Sequence, residues 1–365
     1  MKLYSTCRIS LALTAISLVG LATSLPAAAA KMYSITDLGT LGGNYSRATG
    51  INDLGQVVGV SGGHAFRTAP NSPIDPATDD LGSLSNSDIY GCQASGINNL
   101  GQVVGNCFAP SYSPGVTLSY AFLTAPNSPI NPATDNLGSF GGRPVTTGVS
   151  VNDLGQVAGR SVLGDGFPKA FRTDPNSPID PTTDNIGSLN GGVFYYGGVT
   201  YANGINNLGQ VVGAATTVDN QRHAFRTAPN SPINPATDDL GTLREGPDSS
   251  GEGSVANAIN DKGQVVGNSQ TVSGETHAFR TAPNSPINPA TDDLGTLGGG
   301  YSTPNAINNK GQVVGEADTD SGQRHAFVYY KHHMLDLNNL IPADSNFILT
   351  SANGINKGSL WIPGI

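Results

Sequence analysis

The sequence predicts an all-β fold, a β-propeller of about seven four-stranded blades with the last blade incomplete. A six-bladed propeller or a β-solenoid are the alternative arrangements of the same units. Three observations predict this class. A short phrase, first met as "INDLGQVVG" at residues 51–59, recurs along the chain. Each copy travels with three other short apolar segments in a fixed order. Glycine and proline are abundant, 48 and 24 of 365 residues, while only 12% of residues are charged, so turns outnumber helices.

The first thirty residues place Lys2 and Arg8 ahead of an apolar run from Ile9 to Leu25 and close with small residues at Ala28 and Ala30. That order is the pattern of a secretory signal peptide cleaved after Ala30. The mature chain, 31–365, is therefore expected outside the cytoplasm, in the extracellular medium or the periplasm. The apolar run is short for a membrane span, and no later segment approaches the ~18 apolar residues that one needs, so no membrane insertion is expected after cleavage. Loss of Lys2 and Arg8 moves the formal charge from -9 to -11. A chain this acidic lacks the basic surface that nucleic acid requires.

The I/V-N pair recurs at Ile51, Ile97, Val151, Ile205, Ile259, Ile307 and Ile355, with spacings of 46, 54, 54, 54, 48 and 48. Seven units therefore fill residues 31–365 as a single repeat domain. Each full unit reads D/N-L-G-x-L, then G-I-N or a variant, then Q-V-V-G, then an A-F pair usually written H-A-F. In the first unit these are Asp37 to Leu41, Gly50 to Asn52, Gln56 to Gly59 and His64 to Phe66. All are short, rich in apolar or β-branched residues, and bounded by Gly, Asn, Asp or Pro, which is how strands read. No window sustains a helical period. Four strands in 46–54 residues fit a propeller blade, and closure into a ring leaves only short, protected edges. The chain ends with "GINKGSLWIPGI", where "SLWIPGI" stands in for the third strand and the fourth is missing. The N-terminal "MYSITDLG" is placed to overlap the ring and help close it.

The recurring phrase encodes a turn. Asn52 can hydrogen-bond the backbone two residues on, Asp53 and Leu54 suit the middle of a type I turn, and Gly55 can take positive φ. The same structural pair stands at Asn98 and Gly101, Asn152 and Gly155, Asn206 and Gly209, Asn260 and Gly263, and Asn308 and Gly311, with Asn356 and Gly358 in the clipped unit. Length varies before the I-N pair and after V-V-G, in loops where binding is expected. By contrast, Phe66, Phe122, Phe171, Phe225 and Phe279 each precede the next Asp or Asn of the D/N-L-G piece by 14 residues. "APNSPINPATD" or a variant fills that interval, and its proline at every third position predicts a stiff, extended spacer between units.

Taken together, "DLGTLGG", "INN", "GQVVG" and "HAF", the last at His64, His223, His277 and His325, occur in that order across residues 33–358 and resemble the extracellular HAF repeat family. The resemblance implies a secreted bacterial repeat protein and carries no biochemical activity with it. The long proline-bearing spacer departs from the family's shorter link, which stands here only at "VYYKHHMLDLN".

Catalytic sites need unlike groups in one place, which breaks repeat symmetry, and few candidates do so. The repeated histidines give way to Tyr120 and Lys169 in two units, which suits a strand-edge position better than a ligand or base. His332 and His333 are adjacent, so on a strand they point to opposite faces. "DTDSG" at Asp318 to Gly322 begins like a calcium loop but lacks the third carboxylate and the distal glutamate. Nucleophile-elbow, zinc-hydrolase and phosphate-loop motifs are absent from the sequence. No catalytic residue, metal ligand or cofactor is therefore expected. Gln56, Gln102, Gln156, Gln210, Gln264 and Gln312 form the most regular polar set, read as bonding adjacent blades rather than lining a channel. Cys92 and Cys107 are the only cysteines after residue 30, and they flank the turn at Asn98 to Gly101. They are near cross-strand partners, one residue out of register for a plain hairpin, and secretion predicts that they form a disulfide.

The expected function is that of a secreted, non-enzymatic propeller that presents loops to an extracellular protein or polysaccharide. The alternative is an extracellular polysaccharide hydrolase or lyase with its site at the channel mouth, where Glu245 with Asp248 or Glu252 would supply acid-base chemistry. Mass spectrometry of the exported protein is expected to find Lys31 at the N-terminus; an intact Met1 to Ala30 segment on exported protein would refute the leader.

Overall fold

The computed structural model describes residues 10–14, 33–85, 91–110, 117–141, 144–162, 166–190, 199–244 and 253–363. Apart from 10–14, the leader expected over residues 1–30 lies outside them, and so do Glu245, Asp248 and Glu252. The described chain is all-β, organised as mostly antiparallel strand groups that follow one another in sequence, the group beginning at Ser254 and the group beginning at Gly298 being joined into one seven-stranded sheet by a parallel pair, Thr276 with Tyr301.

In the first sheet Ser46–Ile51 pairs with Val57–Ser61, and that strand pairs with His64–Arg67. The same three-strand order returns at Gly91–Ile97, Val103–Pro110 and Thr117–Leu123, and again at Thr146–Val151, Val157–Val162 and Pro168–Arg172. It continues at Thr200–Ile205, Val211–Thr216 and Arg222–Arg226, then at Ser254–Ile259, Val265–Gln270 and Thr276–Arg280. In the next group, Gly298–Ile307, Val313–Thr319, Arg324–Tyr330 and His333–Asp336 run as a complete four-stranded meander.

A fourth outer position exists in the other sheets too, but it is reached through the spacer. Phe66 pairs with Asp80, Phe122 with Asn136, Phe171 with Asn185, Phe225 with Asp239 and Phe279 with Asp293. The constant 14-residue interval is thus a strand-pairing register. The D/N-L-G piece belongs to the sheet of the A-F strand before it, so the physical unit runs I-N, Q-V-V-G, A-F, D/N-L-G. The repeat as read from sequence is one segment out of phase. The remaining sheet has the order Thr36–Asp37, Ser10–Thr14, Ser359–Pro363 and Gly354–Ile355; Ser10–Thr14 lies within the expected leader, so after cleavage the pair Gly354–Ile355 with Ser359–Pro363 is what remains of it.

The spacer corrects the expectation of a stiff extended rod. Pro70 and Asn71 make a tight turn, with Ser72 N donating to Ala69 O and Asn71 at φ 53°. A second turn follows, where Asp79 N donates to Asp75 O and Asp79 Oδ2 accepts from Asp75 N at 2.8 Å. Proline fixes φ, but Asn tolerates the left-handed region and Asp caps its own turn, so the segment folds back on itself. Between its turns the spacer holds the neighbouring unit: Ile74 N donates to Leu38 O, and Ile130, Ile179, Ile233 and Ile287 repeat the bond to Leu81, Leu137, Ile186 and Leu240.

Packing explains the V-V-G segment. Adjacent residues on a strand face opposite ways, yet both valines of each pair are buried. Val57 packs with Phe66 of its own sheet, whereas Val58 joins a cluster containing Cys92, Val103 and Phe122 of the next. Each strand group that carries this segment is therefore packed on both faces. The six phenylalanines of the A-F pairs have no exposed surface. Burial of each contributes about 2–3 kcal/mol of the hydrophobic stabilisation. The following glycine leaves room for the ring: a Cβ on Gly105 would collide with Gln93 O and the Phe122 ring.

Cys92 and Cys107 are register partners on adjacent strands and are joined by a disulfide, with Cα atoms 4.0 Å apart. Their one-residue offset is taken up by a β-bulge between Ala94 and Gly96, so pairs on either side of the bulge follow different registers.

The turn glycines differ in what surrounds them. Gly209 has φ 74°, and a Cβ there would strike the spacer residue Asn230. Gly311 has φ 78°, but no proline-bearing spacer follows its sheet, and the nearest atom is Gln264 Oε1 at 3.2 Å. Gly311→Ala is expected to cost about 1 kcal/mol from backbone strain, and Gly209→Ala clearly more because the clash adds to it. Urea midpoints measured on both variants would check the order; equal losses would contradict it.

Candidate functional site

The tight turns between the first two strands of every unit come together around one polar mouth. Asn52 uses all its hydrogen-bonding capacity there. Its Oδ1 accepts from Leu54 N at 3.1 Å and Gln56 N at 3.0 Å, while its Nδ2 donates to Gln56 Oε1 at 2.8 Å and Asn98 O at 3.0 Å. The first three bonds are local and shape the turn. The fourth reaches the next unit, and it repeats from Asn98 to Asn152, Asn152 to Asn206, Asn206 to Asn260, Asn260 to Asn308 and Asn308 to Asn356, at 2.9–3.1 Å. Asn356 Nδ2 then donates to Asn52 O at 3.0 Å, which returns the series to its start.

A second circuit lies just outside this one, at the next residue of each turn: Asp53, Asn99, Asp153, Asn207, Asp261, Asn309 and Lys357. Carboxylate and amide alternate. Asp53 N donates to Asn99 Oδ1 at 2.9 Å, Asn99 N to Asp153 Oδ1 at 2.8 Å, and the pattern continues through Asp261 N to Asn309 Oδ1 at 2.9 Å. Side-chain amides add to it, with Asn99 and Asn207 both donating to Asp153 Oδ2 at 3.0 Å. Lys357 interrupts the alternation. It offers no side-chain acceptor to Asn309, and its ammonium lies 2.7 Å from Asp53 Oδ2. The hydrogen bond to Asp53 and the charges of Asp53, Asp153 and Asp261 hold that ammonium above the usual lysine range.

These circuits enclose a cavity of about 220 Å³, with an aliphatic collar from Ile51, Ile97, Val151, Ile205, Ile259, Ile307 and Ile355. The rim carries three carboxylates and one ammonium, a formal charge of -2 at neutral pH. Such an arrangement can recognise hydroxyl groups, amides or cations by multiple hydrogen bonds.

The glutamines do not line this mouth. Gln56 Nε2 donates to Asn127 Oδ1 at 3.0 Å, and Gln102, Gln156 and Gln210 reach Asn176, Asn230 and Asn284 in the same way, tying each turn to the spacer that follows the next sheet. The histidines lie elsewhere as well. His64 Nδ1 meets Asp80 at 3.0 Å, His223 meets Asp239 at 2.9 Å, His277 meets Asp293 at 2.9 Å, and His325 meets Asp336 at 2.7 Å, each pair joining the A-F strand to the outer strand. Where Tyr120 and Lys169 replace His, the outer residue is Asn136 or Asn185 rather than Asp. The sequence therefore carried the signal for this latch, in Asp accompanying His and Asn accompanying its replacements. His332 sits in a tight turn at φ 65°, with His333 opening the next strand. Asp318 is engaged by Arg324 Nε at 2.6 Å.

Among the described residues no group of three or more His, Cys, Asp or Glu is arranged to hold a metal, and no helix is long and apolar enough to cross a membrane.

Comparison with known proteins gives a fold and leaves activity open. A family model described as a protein of unknown function, DUF3466, matches residues 242–360. No curated protein sequence matches the chain. Among solved structures, the chain is similar to a prolyl endopeptidase, at 8% identity and TM-score 0.50, over 83% of this chain and 44% of that one. It is also similar to a puromycin-hydrolyzing peptidase of Mycobacterium tuberculosis, at 11% identity and TM-score 0.48, over 80% and 44%. A TolB-like protein of Agrobacterium tumefaciens has 10% identity and TM-score 0.42, over 71% and 86%. The chain spans less than half the length of either peptidase. These neighbours are β-propeller proteins, the peptidases through their propeller domains, and the likeness to the prolyl endopeptidase supports a propeller fold.

The His277 pair gives a pH prediction. Its hydrogen bond to Asp293 raises the His277 pKa, with burial opposing and the charges of Asp293 and Glu275 assisting. Burial pushes Asp293 up, but hydrogen bonds from His277 and Gly295 N outweigh it and leave its pKa lowered. A raised histidine stabilises the fold fully below its unfolded pKa of about 6.5 and ceases to do so as pH rises through the folded value. His277→Gln is expected to lower the unfolding temperature at pH 6 and to lower it less at pH 9. An equal loss at both values would show that the ion pair contributes nothing.

Proposed function

We propose that this protein is a secreted seven-bladed β-propeller, its seventh blade built in the exported chain around Gly354–Ile355 and Ser359–Pro363, that acts as a non-enzymatic binding module for an extracellular protein or polysaccharide. The observation that carries the ring is the series of seven asparagine bonds that ends where it began. The polar rim above it supports the binding role. Its donors and acceptors converge from seven turns on one opening, and Lys357 marks a single direction on an otherwise repetitive circuit. Secretion rests on the leader pattern of residues 1–30 and on the resemblance to extracellular repeat proteins.

Asp and Asn already fill equivalent rim positions with the same backbone bond, so the triple variant Asp53→Asn, Asp153→Asn, Asp261→Asn removes charge without demanding a new turn. Immobilised exported protein, challenged with matched fractions of secreted protein and secreted polysaccharide, is expected to retain a component saturably. The triple variant is expected to retain it at least about tenfold more weakly with its unfolding transition preserved, a loss of about 1.4 kcal/mol. Undiminished retention by the folded variant would place binding elsewhere, and turnover of the retained component would favour an enzyme.

A further inference from the structure

The rim circuit has an odd number of members. Two kinds of residue can alternate around a ring only when their number is even, and the alternation that begins at Asp53 and ends at Asn309 leaves the seventh position, Lys357, between Asn309 and Asp53. Six of the seven positions donate their backbone N–H to the Oδ1 of the next, at 2.8–3.0 Å, Lys357 N to Asp53 Oδ1 included. Asn309 N has no such acceptor, because a lysine side chain carries none. The Asn309 side chain is committed the other way, its Oδ1 accepting from Asp261 N and its Nδ2 donating to Asp261 Oδ2, both at 2.9 Å. The circuit does not ask for lysine. An asparagine at 357 would accept from Asn309 N and keep its own N–H on Asp53, as Asn99 and Asn207 do between their neighbours. The chain instead gives up one bond and sets there an ammonium, of whose three N–H donors Asp53 takes one. The mouth therefore offers donors at one junction, between Asn309 and Lys357, and carboxylate oxygens elsewhere around the rim.

We infer that the mouth binds the terminal, uncharged sugar residue of an extracellular polysaccharide, oriented by the junction of Asn309 and Lys357. The inference rests on the reading of the mouth as the binding site and names its ligand class. Every charge on the seven turns enters the choice: Asp53, Asp153 and Asp261 stand against Lys262, Lys310 and Lys357, and the rim alone keeps three carboxylates to one ammonium. An anionic group seated at the junction would meet the Asp53 carboxylate, which lies 2.7 Å from the ammonium, and like charge opposes it. A cationic group at the junction would meet the ammonium itself, and one drawn instead to Asp153 or Asp261 would leave the donors of the junction without an acceptor. A hydroxyl group avoids both conflicts, since its oxygen accepts from Asn309 N and the ammonium while its hydrogen goes to a carboxylate. A sugar ring carries several hydroxyls on its edge and C–H surface on its faces, which suits a rim of carboxylates and amides around an aliphatic collar. The cavity of about 220 Å³ is smaller than the roughly 300–1,000 Å³ that encloses a drug-sized ligand, so it admits one ring. Turns bonded to one another surround it on every side, so that ring is the end of a chain and not a residue along its middle.

Fluorescent tetrasaccharides, labelled at the reducing end and titrated by anisotropy against the exported protein, test this. Neutral ones end in glucose, galactose or mannose, and each has counterparts of the same length ending in the corresponding uronic acid or amino sugar. At least one neutral end is expected to bind saturably, and its charged counterparts at least about tenfold more weakly. Lys357→Asn, which gives Asn309 N its acceptor, is expected to weaken that binding at least about tenfold without lowering the unfolding temperature. Lys357→Met removes the ammonium but leaves Asn309 N unclaimed; it is expected to lose about threefold, and it carries the test should Lys357→Asn fail to fold. Binding of no neutral end, tighter binding of a charged end, or unchanged binding by the folded variants would overturn the inference. So would saturable retention of a secreted protein with no sugar end bound, which names a different class of ligand. If the sugars fail while loss of the rim carboxylates still weakens retention of a secreted component, only the ligand assignment falls; if both fail, the mouth is not the binding site.

Discussion

One amide group links the units of this protein: the Nδ2 of the asparagine that ends each inner strand. The same side chain shapes its own turn through Oδ1 and reaches the backbone of the equivalent asparagine one unit on. Local structure and assembly are thus joined in one residue. With the side chain buried at 4% exposure in Asn52, an alanine would leave several donors and acceptors without partners, at about 1–3 kcal/mol for each group. Asp would lose the donor and Gln would place it a methylene further away. The geometry therefore demands Asn in every unit, whatever the length of the surrounding loops.

Packing follows the same economy. Two adjacent valines cover the two faces of a sheet, so a four-residue segment serves two interfaces at once. The phenylalanine opposite on the adjacent strand fills the space that the following glycine leaves open. Spacers then bind the exterior: each returns a backbone bond to the outer strand of the previous sheet, and the four after the first also offer an asparagine to a glutamine of the previous turn. Neighbouring units are consequently joined near the mouth, in the core and at the periphery.

Much of this was legible in the residues. The strand segments, the asparagine turn and the near pairing of Cys92 with Cys107 are local patterns, and local patterns are what a repeat displays many times over. The glutamines were read as links between units from satisfaction arguments alone, and Gln56 to Asn127 is such a link. What lay beyond reach depended on distance in sequence. Assigning Asp80 to the sheet of Phe66 required knowing that a 14-residue spacer folds back, and its prolines concealed the turns made by Asn71 and Asp75. The bulge that brings Cys92 opposite Cys107 is invisible in a simple hairpin count. The rim was hidden differently: the alternation of Asp53, Asn99, Asp153, Asn207, Asp261 and Asn309 is plain on the page, but its meaning appears only when the turns stand side by side.

Closure of the ring is the claim on which the rest stands, and the junction of Asp53 with Lys357 is where it can be tested. Their side chains meet at 2.7 Å although the residues belong to the first and last units. The measurement is a count of free thiols in exported Asp53→Cys, Lys357→Cys protein after mild oxidation, with peptide mapping of any new bridge. A closed ring gives a disulfide between positions 53 and 357 in addition to that of Cys92 and Cys107, formed within one molecule. Two free thiols in the folded, oxidised protein would mean that the first and last units do not meet, and that the repeats form an open array.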